Sequence, residues 1–160
     1  MLTKSGVHAI RAMVALASTP PGEYCGTSTI AEAAGAPRNY LGKLLFLLSR
    51  HGLVESQKGL GGGFRLSRSS REITLLDVVE SIEDVARWKE CAFRGKVCSD
   101  TNPCAVHTRW GHVRDAYLSF LKDTSVAELV GGNSIHDALA GGLADHADPA
   151  ARPKSPRRPQ

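Results

Sequence analysis

The residues whose types and spacing could do chemistry are Cys91, Cys98, Cys104 and His107, arranged as C-x6-C-x5-C-x2-H. Thiolates and imidazole are soft to borderline donors, and four of them complete the ligand set of a zinc ion or an iron–sulfur cluster. Cys104 and His107 lie three apart, so on a helix they would share a face. A zinc knuckle usually places two ligands close together as C-x2-4-C, and no pair of cysteines here has that spacing. Wide loop spacing suits a bulkier cluster; zinc and thiol redox switching stay open. In a [2Fe–2S] cluster this set gives one iron two cysteines and the other a cysteine and a histidine, whose imidazole is a comparatively labile ligand. Cys25 is far away in sequence and reads as a small core or loop thiol. Disulfides are not expected: no secretory leader is recognisable, and three of the four cysteines fall between residues 91 and 104.

The elements that must position these ligands follow from periodicity. Leu2 to Ser18 carries one apolar stripe and ends at Pro20-Pro21-Gly22, an amphipathic helix. Thr29 and Glu32 fit a capping box for a short second helix closed by Gly35. Pro37 suits the first position of a third helix over 37–51, whose core face is Leu41, Leu44, Leu45 and Leu48. Two helices joined by Gly-Ala-Pro form a helix-turn-helix. Residues 53–58 and 64–66 read as two strands, and Gly59-Leu60-Gly61-Gly62-Gly63 between them as a hairpin tip free of side-chain bulk. Thr74 to Asp77 resembles another capping box. Residues 84–102 lack periodicity, and Asn102-Pro103 look like N-cap and N1 of a long helix reaching about Leu121. Its stripe is most economically buried against a second copy, which predicts a homodimer. Ser125 to Glu128 caps a last turn or two before Gly131.

The expected architecture is therefore mainly α with a small β-hairpin, a winged helix-turn-helix with a long C-terminal dimerisation helix. Its parts are a DNA-binding domain over 1–83, a cluster-binding loop over 84–103, the dimerisation helix and a short final helix over 104–130, and a disordered Pro- and Arg-rich tail over 131–160. Charge agrees with a nucleic-acid partner. Residues 1–70 hold eight Lys and Arg against three Asp and Glu, although the whole chain is only +4. Composition is that of a globular protein, at 42% hydrophobic and 22% charged. With no apolar run long enough to span a bilayer, no membrane partner and a cytoplasmic location are expected.

At the N-terminal end of the third helix, Arg38 and Asn39 have the chemistry to read guanine and adenine edges, while Tyr40 and Lys43 suit phosphate. Lys58 and Arg65 flank the wing tip, where Gly61 and Gly62 allow close approach to a groove. Lys4 and Arg11 are weaker backbone candidates. A nucleotide-binding loop is excluded, because a Walker loop ends in Gly-Lys-Ser/Thr before a helix, and Phe64-Arg65-Leu66 follows here instead. A metal-dependent enzyme would need an acid–base partner beside the cysteines, and only Glu90 is near in sequence; no enzyme is expected.

The chain resembles the Rrf2 family of bacterial transcription regulators over about residues 1–130. Met1-Leu2-Thr3-Lys4-Ser5-Gly6 with Ala9-Ile10-Arg11-Ala12 is similar to that family's first helix, and Ile30-Ala31-Glu32 with Tyr40-Leu41 and Leu44-Leu45 to its helix-turn-helix. Gly52-Leu53-Val54, Lys58-Gly59, Gly61-Gly62-Gly63-Phe64-Arg65-Leu66 and Ile73-Thr74-Leu75 resemble its wing and following helix. The resemblance implies a dimer crossed at the long helix that binds a palindromic promoter site in double-stranded DNA. It also implies an iron–sulfur cluster on Cys91, Cys98 and Cys104. In the branch governing cluster biogenesis, a histidine placed like His107 is the fourth ligand of a [2Fe–2S] cluster. That branch has five residues between its first two cysteines, and this chain has six. The nitric-oxide-sensing branch draws an acidic ligand from the partner's first helix. The matching residue here is Val7, which cannot ligate, and the adjacent His8 keeps a [4Fe–4S] alternative open.

Overall fold

Thr3 begins the fold as the cap of α1 (Lys4–Ala17), its side chain accepting the Gly6 N–H at 3.2 Å. The computed structural model describes residues 2–83, 85 and 101–130. All the elements below belong to one unit, Met1–Val130. Most of the expected cluster loop, with Cys91 and Cys98, and the tail from 131 lie outside the described residues.

Ala9, Ile10, Ala12, Met13, Val14 and Leu16 bury the length of α1, which makes it the central helix. The helix-turn-helix packs against it as α2 (Thr27–Ala34) and α3 (Arg38–Arg50). Leu41, Leu44, Leu45 and Leu48 form the buried face of α3, as the spacing predicts. Gly35 closes α2 in the left-handed conformation with φ 63°. The start of α2 differs from expectation. Its N-cap is Gly26, and Thr29 is an exposed residue of the first turn. The cause is long-range: Cys25 exchanges two backbone hydrogen bonds of 2.9 Å with Phe64, so the chain leaves the wing and turns into the helix at once. Pro37 likewise caps α3 rather than opening it.

The wing is β1 (Val54–Gln57) paired antiparallel with β2 (Gly63–Leu66), in the register Val54↔Leu66 to Gln57↔Gly63. Cys25 adds a third, single-residue strand on the other edge of β2. Then α4 (Leu75–Glu80) opens with a complete capping box between Thr74 and Asp77.

Helix α5 (His107–Asp123) starts later than Asn102-Pro103 predict. Residues 101–106 form turns and bends, and the His107 N–H donates to the Cys104 carbonyl at 3.0 Å where a first helical turn would be. Cys104 therefore precedes the helix rather than lying on it. Leu121 is the one fully buried residue of α5, with Tyr117 and Leu118 packed partly against the core. The end of α5 is stitched to the α4 entry by Leu75 N–H to Thr124 O at 2.9 Å and Val126 N–H to Ile73 O at 2.8 Å. Ser125 and Glu128 form the expected cap of α6 (Val126–Val130), both Ser125 donors lying 2.8 Å from Glu128 Oε1. These bonds hold the Glu128 carboxyl below its usual range, the backbone N–H having the larger effect. No described helix is long and apolar enough to cross a membrane.

Candidate nucleic-acid interface and cysteine site

Burying Leu41, Leu44, Leu45 and Leu48 turns the opposite side of α3 outward. Arg38, Asn39, Lys43, Phe46 and Arg50 are exposed there, and α3 contains no carboxylate. Arg38, Asn39 and Lys43 are thus free of the core, at the end of the helix that a major groove would receive.

Tyr40 is placed differently from its neighbours. It is half-buried, its hydroxyl lies 2.6 Å from Ser5 Oγ, and its ring meets the His8 ring edge-on at 6.0 Å between centroids. Tyr40 fastens α3 to α1. His8 Nδ1 is 3.1 Å from the Ala34 carbonyl, which can only accept, so this nitrogen carries the proton. His8 thus faces the helix-turn-helix.

On the wing, Lys58 is exposed. Arg65 is held by Glu55, its cross-strand partner, through Nε and Nη2 at 2.9 and 2.7 Å from one carboxylate oxygen. Its guanidinium also stacks 4.8 Å from the Tyr24 ring centroid. Sequence spacing placed Arg65 beside the tip, but pairing with residue 55 depends on the hairpin register. Gly61 is exposed at the tip with φ 76°. Gly62 tolerates no side chain, since a Cβ there would strike the carbonyls of Gln57 and Gly59. Gly63 is equally crowded by the Cys25 carbonyl, which the third strand brings against it. The tip is not free of side chains, however: Leu60 projects from it fully into solvent.

Of the four candidate ligands, Cys104 and His107 are described. Both are half-buried, in one turn at the start of α5, and Cys104 is a free thiol. Among the described residues no group of three or more His, Cys, Asp or Glu side chains converges to hold a metal. Glu83, where the expected loop begins, contributes a contact that sequence reading missed. One carboxylate oxygen accepts the Thr3 N–H at 3.0 Å and the Thr3 hydroxyl, so Glu83 is tied to the cap of α1. An acidic group suits a helix N-terminus, but the two residues are 80 apart and no local pattern links them.

Helix, turn, helix and wing in this order, with a carboxylate-free recognition face, define a winged helix-turn-helix DNA-binding regulator. The chain belongs to the Rrf2 family, whose model, described as an iron-dependent transcriptional regulator, matches residues 2–132. It is a sequence-specific DNA-binding transcription regulator, of a family that is not enzymatic. A putative HTH-type transcriptional regulator of Aquifex aeolicus is 34% identical over 103 residues, covering 63% of this chain and 72% of the relative. The HTH-type transcriptional regulator IscR of Escherichia coli is 28% identical over 151 residues, covering 94% and 92%. Among solved structures, T. potens IscR superposes with TM-score 0.66 at 24% identity, covering 81% of this chain and 85% of the other. The structure of CymR, the global cysteine regulator of B. subtilis, gives 0.70 at 24% identity, covering 81% and 95%. These two likenesses establish the fold.

Proposed function

We propose that the chain is a dimeric repressor whose affinity for a palindromic operator is set by an iron–sulfur cluster on Cys91, Cys98, Cys104 and His107. The observation that carries the cluster is the joint placement of Cys104 and His107, two half-buried donors in one turn at the head of α5. Thiolate and imidazole fit iron chemically, and the family's iron-dependent description favours iron over zinc. Three thiolates and an imidazole match [2Fe–2S]; His8, which faces Ala34 and Tyr40 of the helix-turn-helix, is the poorer fourth ligand and with it the [4Fe–4S] form.

The dimer rests on α5. Val113 and Phe120 are 60% and 53% exposed, seven residues apart and so on one stripe, while the same helix buries Leu121 in its own protomer. A second α5 covers that stripe and sets the distance between the two α3 helices. Bound at this site, the cluster supplies a redox-active, oxidant-labile group. Ahead of the expected loop, contacts run from Glu83 to the DNA face: Glu83 holds Thr3, Thr3 caps α1, and Ser5 on α1 holds Tyr40 of α3.

Protein purified without oxygen is expected to show visible absorption, with iron and sulfide in equal amounts. Cys104→Ala is expected to abolish both while keeping the far-ultraviolet helical signal. Bound zinc, or a colourless iron-free protein under the same conditions, would contradict the cluster.

A further inference from the structure

Phe46 is the anomaly on the recognition face. It is 61% exposed, in a helix that buries four leucines on its other side. Asn39, Lys43, Phe46 and Arg50 stand at i, i+4, i+7 and i+11, so the aromatic ring lies in line with the base-reading and phosphate-binding candidates. A protein partner would be expected to meet a contiguous apolar patch. This ring is flanked by Lys43 and Arg50 instead, with no carboxylate anywhere on the helix. Such a surround fits a polyanion that presents an isolated apolar spot.

Gly42 points the same way. A glycine inside a helix costs about 0.5–1 kcal/mol relative to alanine, and a Cβ at Gly42 would meet nothing within 4 Å. Among the described residues no packing therefore requires it. It lies beside Lys43, one turn before Phe46, and lets the helix backbone sit deeper in a groove.

In the major groove only thymine carries an exposed methyl group, at C5. We infer that Phe46 is a specificity-determining residue that packs on a thymine methyl, with Gly42 permitting the approach. The inference rests on α3 being the DNA-reading helix, and the test separates the two. Duplexes are selected from a randomised pool with the wild-type dimer. Each thymine of the selected site is then replaced by uracil, which removes only the methyl.

At one thymine per half-site, uracil is expected to weaken wild-type binding about fourfold, the effect of burying one methyl. Phe46→Ala should bind the thymine and uracil duplexes equally, and Phe46→Leu should recover part of the preference. As Phe46 is exposed, the melting temperature of Phe46→Ala should match wild type. Indifference of the wild type to every uracil, or equal losses in wild type and Phe46→Ala, would overturn the methyl contact and leave DNA binding standing. Failure of the wild type to enrich any duplex would overturn both.

Discussion

Leu121→Ala is expected to destabilise the protein by about 2–5 kcal/mol, the range for deleting a leucine side chain inside a packed core. Leu121 is completely buried and is the only such residue α5 contributes, so no neighbour on that helix can take over its place. Main-chain bonds from Leu75 to Thr124 and from Val126 to Ile73 fix the backbone on either side, which limits collapse into the void. Thermal unfolding should therefore shift down by many degrees, and α5 should lose its hold on the DNA-binding domain before the rest melts. Phe120→Ala is the control, one residue away and 53% exposed. It should leave a protomer's core intact and instead weaken self-association, read as a concentration-dependent shift toward monomer in sedimentation.

Asn39→Ala is expected to have the largest effect on operator binding. A side chain paired to a base edge is worth about 1–3 kcal/mol of discrimination, and a palindromic site is read twice, once by each protomer. The loss should fall on the selected sequence and hardly on random duplex. Lys43→Ala should behave oppositely. A phosphate contact weakens all sequences alike and lowers the salt slope of binding by about one for each contact removed. Titrations against matched and scrambled duplexes at several salt concentrations distinguish the two. Identical profiles for both variants would show that α3 does not lie in the groove by its N-terminal end.

Much of the architecture was legible because it rests on local rules. The leucines of α3, Gly35, the Thr74–Asp77 box and the Ser125–Glu128 cap are each encoded within a few residues, and the structure places them as expected. The failures come from contacts between distant segments. Thr29 resembles an N-cap, but Cys25 is drawn onto Phe64 by the wing and moves the helix start to Gly26. Asn102-Pro103 has the right chemistry for a helix entrance, yet the turn between Cys104 and His107 supplants it.

The candidate site divides along the same line. Residue type and place at the head of the third helix mark Arg38, Asn39 and Lys43, which are exposed as a reading helix requires. Periodicity cannot foresee that Glu55 and Tyr24 occupy Arg65, because that depends on hairpin register and on the strand at Cys25. Nor does it reveal that Tyr40 is shared with Ser5 and His8, 35 and 32 residues earlier in the chain. Arg65 already commits Nε and Nη2 to Glu55, which partly neutralises it toward a phosphate. Lys58, exposed and without a carboxylate partner among the described residues, is the simpler wing contact.

The state of the site at Cys104 and His107 is expected to govern the grip of α3 on DNA. The most direct measurement compares the affinity of cluster-loaded and cluster-free protein for the selected palindromic duplex, anaerobically and at one fixed salt concentration. The two dissociation constants are expected to differ by about tenfold or more, within the usual range of allosteric coupling, with the difference lost in Cys104→Ala. Equal affinities for the two forms would contradict it.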